Sequence, residues 1–203
     1  MAKIKICGLR EKEDIEFLIQ FSVDYVGFIM YPKSPRYVGN RLKDLLSLEI
    51  KAKKVVVFVD PSYEEVKKAL DYGAHLIQLH GNEPLDFAKK IGLERVIKAF
   101  RVKNKGFNLK DLKPWKKAYA ILLDTFIKDL PGGTGKTFNW EIAKKVVSEG
   151  YKIFLAGGIN LDNALNAVKA VNPYALDISS GLEASPGKKD HEKIKKLFIL
   201  LNF

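Results

Sequence analysis

The chain has 203 residues, 47% of them hydrophobic, and a formal net charge of +11. That length supports one substantial core and is short for two. No run approaches the roughly 20 apolar residues of a membrane helix, and the single cysteine, Cys7, excludes an internal disulfide and a cysteine-rich metal site.

These bounds predict one domain over residues 1–203. The first residues enter a strand pattern at once, with no signal-peptide architecture, so a cytoplasmic protein is expected. The positive charge invites a nucleic-acid partner, but its distribution argues against one. Only five of the 35 basic residues are arginine, and no aromatic-and-arginine cluster for stacking or base reading appears. Lys189, Lys193 and Lys196 read as the solvated face of a last helix whose other face is Ile194, Leu197, Phe198 and Leu201. A small anionic substrate drawn in by the field fits the charge better.

In chain order, strand-like runs cover residues 3–7, 25–30, 55–59, 76–79, 96–100, 120–123, 152–155 and 175–178. Helical patterns lie between them at 11–21, 62–72, 84–91, 140–148 and 161–171, with Asp60-Pro61, Asn82 and Asn160 as start signals. The segments 41–50 and 109–115 are weaker. Such alternation predicts a parallel sheet with right-handed crossovers, and eight units of about 25 residues can close on themselves. An open doubly wound sheet competes, yet the turn Cys7-Gly8-Leu9-Arg10 after the first strand lacks a Gly-x-Gly-x-x-Gly fingerprint. Chemistry-bearing residues instead follow several strands, and a closed barrel gathers strand ends on one rim. The fold expected is a single-domain (βα)8 TIM barrel.

Residues 120–123 form an apolar run that stops at a carboxylate, Asp124, before a Gly-rich loop. Within that loop Gly135-Lys136-Thr137 imitates the end of a P-loop, but Leu130 occupies the place of its first glycine, so nucleotide binding is not expected. Gly157-Gly158 and Ser179-Ser180-Gly181 follow the seventh and eighth strands, where barrels commonly bind phosphate through backbone N–H groups. Cys7 closes the first strand, either as a structural thiol or as a reactive one. Asp124 can move a proton across the rim, cap a helix or pair with Lys136. Arg36 lies between two prolines and a tyrosine in Pro32-Lys33-Ser34-Pro35-Arg36-Tyr37, placed to fork a carboxylate or simply to face solvent. His80, in Gln78-Leu79-His80-Gly81, serves a ligand or ends a strand. No second histidine stands at metal-ligand spacing, and His75 and His191 read as structural.

Together, Lys5-Ile6-Cys7-Gly8, Gly27-Phe28, Tyr31-Pro32-Lys33-Ser34-Pro35-Arg36, Gln78-Leu79-His80-Gly81, Leu122-Leu123-Asp124-Thr125, the Gly-rich segment 132–138, Leu155-Ala156-Gly157-Gly158, Asp177-Ile178-Ser179-Ser180-Gly181 and Pro186-Gly187-Lys188-Lys189-Asp190 resemble the phosphoribosylanthranilate isomerase family of tryptophan biosynthesis. The resemblance keeps the family's order over essentially the whole chain. Asn139 departs from it, since the family more often has aspartate there, although either residue can cap the next helix.

The resemblance implies a cofactor-free Amadori rearrangement of N-(5-phosphoribosyl)anthranilate to 1-(2-carboxyphenylamino)-1-deoxyribulose 5-phosphate. It implies Asp124 as the acid and Cys7 as the base, and Arg36 on the anthranilate carboxylate. Gly157, Gly158, Ser179, Ser180 and Gly181 would hold the phosphate, with Gln78 and His80 lining the rim. No metal, nucleic acid or membrane is expected as a partner, only a small anionic phosphosugar, with the chain a monomer or a homodimer. Another phosphosugar isomerase or synthase on the same barrel would keep the phosphate turns and use a different acid–base pair. A basic nucleic-acid module would instead show strongly salt-dependent duplex binding. A thiol base also requires a nearby cation or dipole to favour its thiolate, and the sequence does not identify one.

Overall fold

A computed structural model describes residues 2–102, 107–124 and 140–201; the Gly-rich segment 132–138 and Asn139 lie outside them. Eight parallel strands, β1 (Lys3–Cys7), β2 (Tyr25–Ile29), β3 (Lys53–Phe58), β4 (Leu76–Leu79), β5 (Val96–Arg101), β6 (Ala120–Asp124), β7 (Ile153–Ala156) and β8 (Ala175–Ile178), pair in chain order. β8 returns to β1 and closes the barrel, as expected. In the closing pair, Lys5 of β1 stands opposite Asp177 of β8.

The side-chain period of two sorts each strand between two cores. Tyr25, Val55, Leu76, Ile97, Leu122 and Phe154 fill the barrel interior with small residues such as Ala99 and Ala175. Their neighbours, including Ile4, Ile6, Phe28, Val56, Ile77 and Leu123, face outward under the helices. At the N-terminal end the hydroxyl of Tyr25 lies 2.8 Å from that of Tyr119 and 3.2 Å from that of Tyr174. The Lys152 ammonium covers the Tyr119 ring at 3.7 Å and the Tyr174 ring at 4.3 Å. This plug closes the floor and leaves the C-terminal rim open to chemistry.

Among the described residues, seven α-helices surround the strands: α1 (Lys12–Leu18), α2 (Leu42–Ser47), α3 (Tyr63–Asp71), α4 (Leu85–Ile91), α5 (Glu141–Ser148), α6 (Ala164–Val171) and α7 (His191–Leu200). The two weakly patterned segments are the irregular ones. A 3-10 turn, Gly39–Arg41, leads into α2, and a 3-10 helix, Leu109–Trp115, containing Pro114, follows β5. The expected start signals are offset. α3 starts from Ser62, whose hydroxyl accepts the Glu65 N–H at 3.2 Å while Glu65 accepts that of Ser62 at 2.8 Å. Asp60 instead adopts φ 49° and accepts the Asn82 N–H at 2.6 Å, so both signals serve a loop-to-loop contact.

The last helix requires a larger correction. Lys189 lies not on it but in a hairpin of β9 (Glu183–Ser185) and β10 (Lys188–Lys189), and is 4% exposed. Asp190 caps α7 by accepting the Lys193 N–H at 3.0 Å, so the helix begins after Lys189. Lys189 is free to turn inward, where its ammonium meets the Glu183 carboxylate at 3.1 Å. Ile194, Leu197, Phe198 and Leu201 form the buried face expected of them. Among the described residues no helix is long and apolar enough to cross a membrane.

Candidate active site

Alternation on β1 aims Lys3, Lys5 and Cys7 into the barrel, with Cys7 uppermost at the rim. Cys7 is 5% exposed, and its sulfur occupies space left by Gly27 on β2; a Cβ there would sit 2.6 Å from it. One level down, Lys5 is fully buried, and its ammonium donates to Gln78 Oε1 at 2.9 Å and Asp177 Oδ2 at 2.8 Å. Burial opposes the charge of Lys5, but Asp177 and Cys7 outweigh it and raise its pKa above the ordinary lysine value. Burial also raises the Cys7 pKa, helped by Asp177 and opposed by the charge and hydrogen bond of Lys5 and by the charge of Lys189. Lys5 and Lys189 are thus the cations beside Cys7 that favour its thiolate and that the sequence did not reveal.

Asp124 ends β6 pointing inward, with its backbone carbonyl accepting the Val102 N–H at 2.9 Å. Its Oδ2 lies 3.4 Å from His80 Nε2, and His80 Nδ1 lies 3.0 Å from Gln78 Nε2. Gln78 is buried, its amide used by Lys5 and His80, so it supports the rim from below. The loop carrying His80 is fixed by Glu83, whose carboxylate accepts the N–H groups of Gly81 at 3.0 Å and Asp60 at 2.9 Å. Lys98 closes that cluster, its ammonium 2.6 Å from Glu83.

Arg36 does hold a carboxylate, but one supplied by the chain. Its Nε and Nη2 donate to Glu183 at 2.7 and 2.6 Å, tying the loop after β2 to the hairpin after β8. Burial favours protonation of Glu183, yet Arg36 and Lys189 prevail and hold its carboxyl below the ordinary glutamate range. Glu183 takes the Nε edge of the guanidinium, which leaves the Nη1–Nη2 edge for a second carboxylate.

The two glycine turns pack against each other. Gly157 and Gly158 have φ of 86° and 71°, a conformation open chiefly to glycine. The Gly158 carbonyl accepts from Asn163 Nδ2 at 2.9 Å, and the Asn160 N–H donates to Asn163 Oδ1 at 2.9 Å, pinning the turn to the start of α6. A Cβ on Gly181 would run into the Ile159 carbonyl oxygen, so only glycine lets the two turns meet. Ser179 Oγ is buried with no hydrogen-bond partner among the described residues, which suits a hydroxyl kept for an anion. Among the described residues, no three histidine, cysteine or carboxylate side chains gather as a metal would require.

The structure therefore brings Cys7, Arg36, His80, Asp124 and both turns to one rim. Lys5, Asp177, Glu183 and Lys189 join them, although the sequence assigned none of these to the site and placed Lys189 on a solvated helix face. Residues 4–199 match the model of the N-(5'-phosphoribosyl)anthranilate (PRA) isomerase family. The chain belongs to that family. As a PRA isomerase it acts in tryptophan biosynthesis. Its sequence is 51% identical over 199 residues to the N-(5'-phosphoribosyl)anthranilate isomerase of Aquifex aeolicus, covering 97% of this chain and 96% of that one. The crystal structure of the Thermotoga maritima isomerase superimposes with a TM-score of 0.87 at 36% identity over 100% of both chains. A PRA isomerase in complex with reduced 1-(o-carboxyphenylamino)-1-deoxyribulose 5-phosphate matches with a TM-score of 0.82 at 33% identity, again over 100% of both.

His75 and His191 stay outside the PRA isomerase site. His75 Nδ1 accepts the Lys54 N–H at 3.1 Å, and His191 pairs with Asp14 at 2.9 Å while stacking on Phe17. The sign that could have pointed to Lys5 is a lysine inside an apolar strand, two residues before Cys7 and hence on the same face. Asp177 stands in the same relation to Ser179. A charge on an inward face requires a partner.

Proposed function

We propose that this PRA isomerase works by general acid–base catalysis, with Asp124 as the acid and Cys7 as the base. The observation that carries the reading is that both close inward-facing strand positions on one rim, Cys7 beside the buried Lys5 and Asp124 beside the half-buried His80, each a polar group that can support its charge. Asp124 donates its proton to the furanose ring oxygen, the C1–O bond breaks, and the anilino nitrogen lone pair forms the Schiff base. Cys7 as thiolate removes the C2 proton, and the resulting enolamine tautomerises to the ketose. Substrate and product are isomers, so the protons lent and taken balance and no redox partner is needed.

The remaining contacts follow from charge. The phosphate sits against the turns of Gly157, Gly158, Ser179, Ser180 and Gly181, accepting backbone N–H groups and the Ser179 hydroxyl. The anthranilate carboxylate takes the open edge of Arg36, whose orientation Glu183 fixes. His80 borders the substrate, and Gln78 holds it from below.

The test is loss of phosphoribosylanthranilate fluorescence on mixing with wild type, Cys7→Ser and Asp124→Asn. Each substitution should lower kcat by about 10² or more with KM little changed, the usual scale of a lost acid or base. Wild-type turnover in either variant would remove that residue from the chemistry.

A further inference from the structure

An ammonium carries only donors, so the end of the Gln78 amide that lies 2.9 Å from Lys5 Nζ must be its oxygen. The NH2 end then faces His80 Nδ1 at 3.0 Å. It offers only N–H, so Nδ1 must present its lone pair. A neutral imidazole has one proton, which is left on Nε2, the atom 3.4 Å from Asp124 Oδ2. We infer that Lys5, acting through Gln78, fixes His80 as the Nε2–H tautomer and thereby makes His80 a positioning residue that points a donor at Asp124.

The tautomer matters because the alternative disarms the acid. An imidazole with its Nε2 lone pair toward Asp124 would accept the very proton that Asp124 must give to the ring oxygen. A neutral N–H there leaves that proton in place and stabilises the carboxylate once the proton has gone. The separation of 3.4 Å is longer than a formed hydrogen bond, so in this geometry the ring is aimed and the contact tightens by a few tenths of an ångström as charge develops on Asp124. Lys5 can set the relay because its charge is permanent, being fully buried against Asp177 at 2.8 Å. The base side uses the same ammonium, so one buried cation serves both ends of the site.

The inference rests on Asp124 being the acid, and its test separates the two claims. The full chain labelled with 15N-histidine is observed by long-range 1H–15N correlation of the imidazoles at neutral pH, with His80→Gln identifying the signals. His80 should show the Nε2–H pattern in wild type. In Gln78→Glu the introduced carboxylate can only accept, so His80 should move to a form protonated at Nδ1, and kcat should fall about tenfold or more. Should that variant fail to fold, Gln78→Met removes the amide donor without adding charge, and a mixture of tautomers is expected. Wild-type His80 protonated at Nδ1, or a pattern unmoved by either variant, overturns the relay whatever the enzyme's activity. A moved tautomer with undiminished kcat overturns its link to Asp124, whereas an active Asp124→Asn sinks only the assignment of the acid.

Discussion

Cys7 faces a conflict that its surroundings only partly resolve. Its sulfur is buried among Lys5 of β1, Asp177 of β8 and Lys189 of β10, with Arg36 reaching over the rim from the loop after β2. Burial wins, so the thiol of the free enzyme titrates above its ordinary value. Alkylation requires the thiolate, so the rate at which iodoacetamide modifies Cys7 should climb with pH through the neutral range and continue to climb beyond the usual thiol pKa. Turnover also needs the proposed acid, Asp124, in its protonated form, so kcat/KM should level off where alkylation still climbs. Half-maximal alkylation at or below 9.0, the reference thiol value, would show that the two lysines outweigh burial. Glu183 is shifted the other way, held below the reference value of 4.5. Its carboxylate therefore contributes to stability above that value, and the contribution is lost as pH falls through the folded-state pKa. Glu183→Gln should flatten the acid side of the stability profile and raise KM, because Arg36 loses the partner that orients it. An unchanged KM would place the anthranilate carboxylate elsewhere.

Two adjacent turns distinguish crowding from backbone strain. Gly158 has open space where a Cβ would go but a φ of 71°, so Gly158→Ala pays only for conformation, about 1 kcal/mol. Gly181 has the opposite problem, since a Cβ would collide with the Ile159 carbonyl and come within 2.9 Å of Asn160 Cα. Gly181→Ala must push the turns after β7 and β8 apart, at about 1–3 kcal/mol, and should raise KM for phosphoribosylanthranilate about tenfold or more. Equal KM changes in the two variants would mean that the packing of one turn on the other does not shape the phosphate site. The elements themselves were largely legible, because strand runs ending at Cys7 and Asp124 and glycine pairs after the last two strands are local signals. Helix starts were less so. Asp60 and Asn82 look like caps in sequence but bond to each other across the gap between β3 and β4. Lys189 keeps helical spacing with Lys193 and Lys196, and only the capping bond of Asp190 reveals that the helix begins after it.

The barrel as a whole was readable from its eightfold alternation, whereas its buried charges were not, since the fold and not a fixed spacing sets each partner, from 6 residues away for Lys189 and Glu183 to 172 for Lys5 and Asp177. Lys98 and Glu83 show what such pairs contribute. Their side chains are 6% and 2% exposed, so removing one leaves an uncompensated charge under the helices. Glu83→Ala should cost about 3–5 kcal/mol, read as a lower urea midpoint, and it also frees the backbone of Gly81 and Asp60. Replacing both residues with apolar ones of similar volume should restore much of that loss; if it does not, the carboxylate matters chiefly through the two loops it holds. The pairing of Lys5 with Asp177 has a different consequence, one of timing. A ribosome delivers Lys5 first, and the carboxylate that neutralises it arrives 172 residues later. Until then the first strand has a bare ammonium on the face that must be buried, a strong penalty against sealing a smaller ring. The nascent chain is thus kept from locking early, and the strand that completes the circle carries the charge that permits it to close.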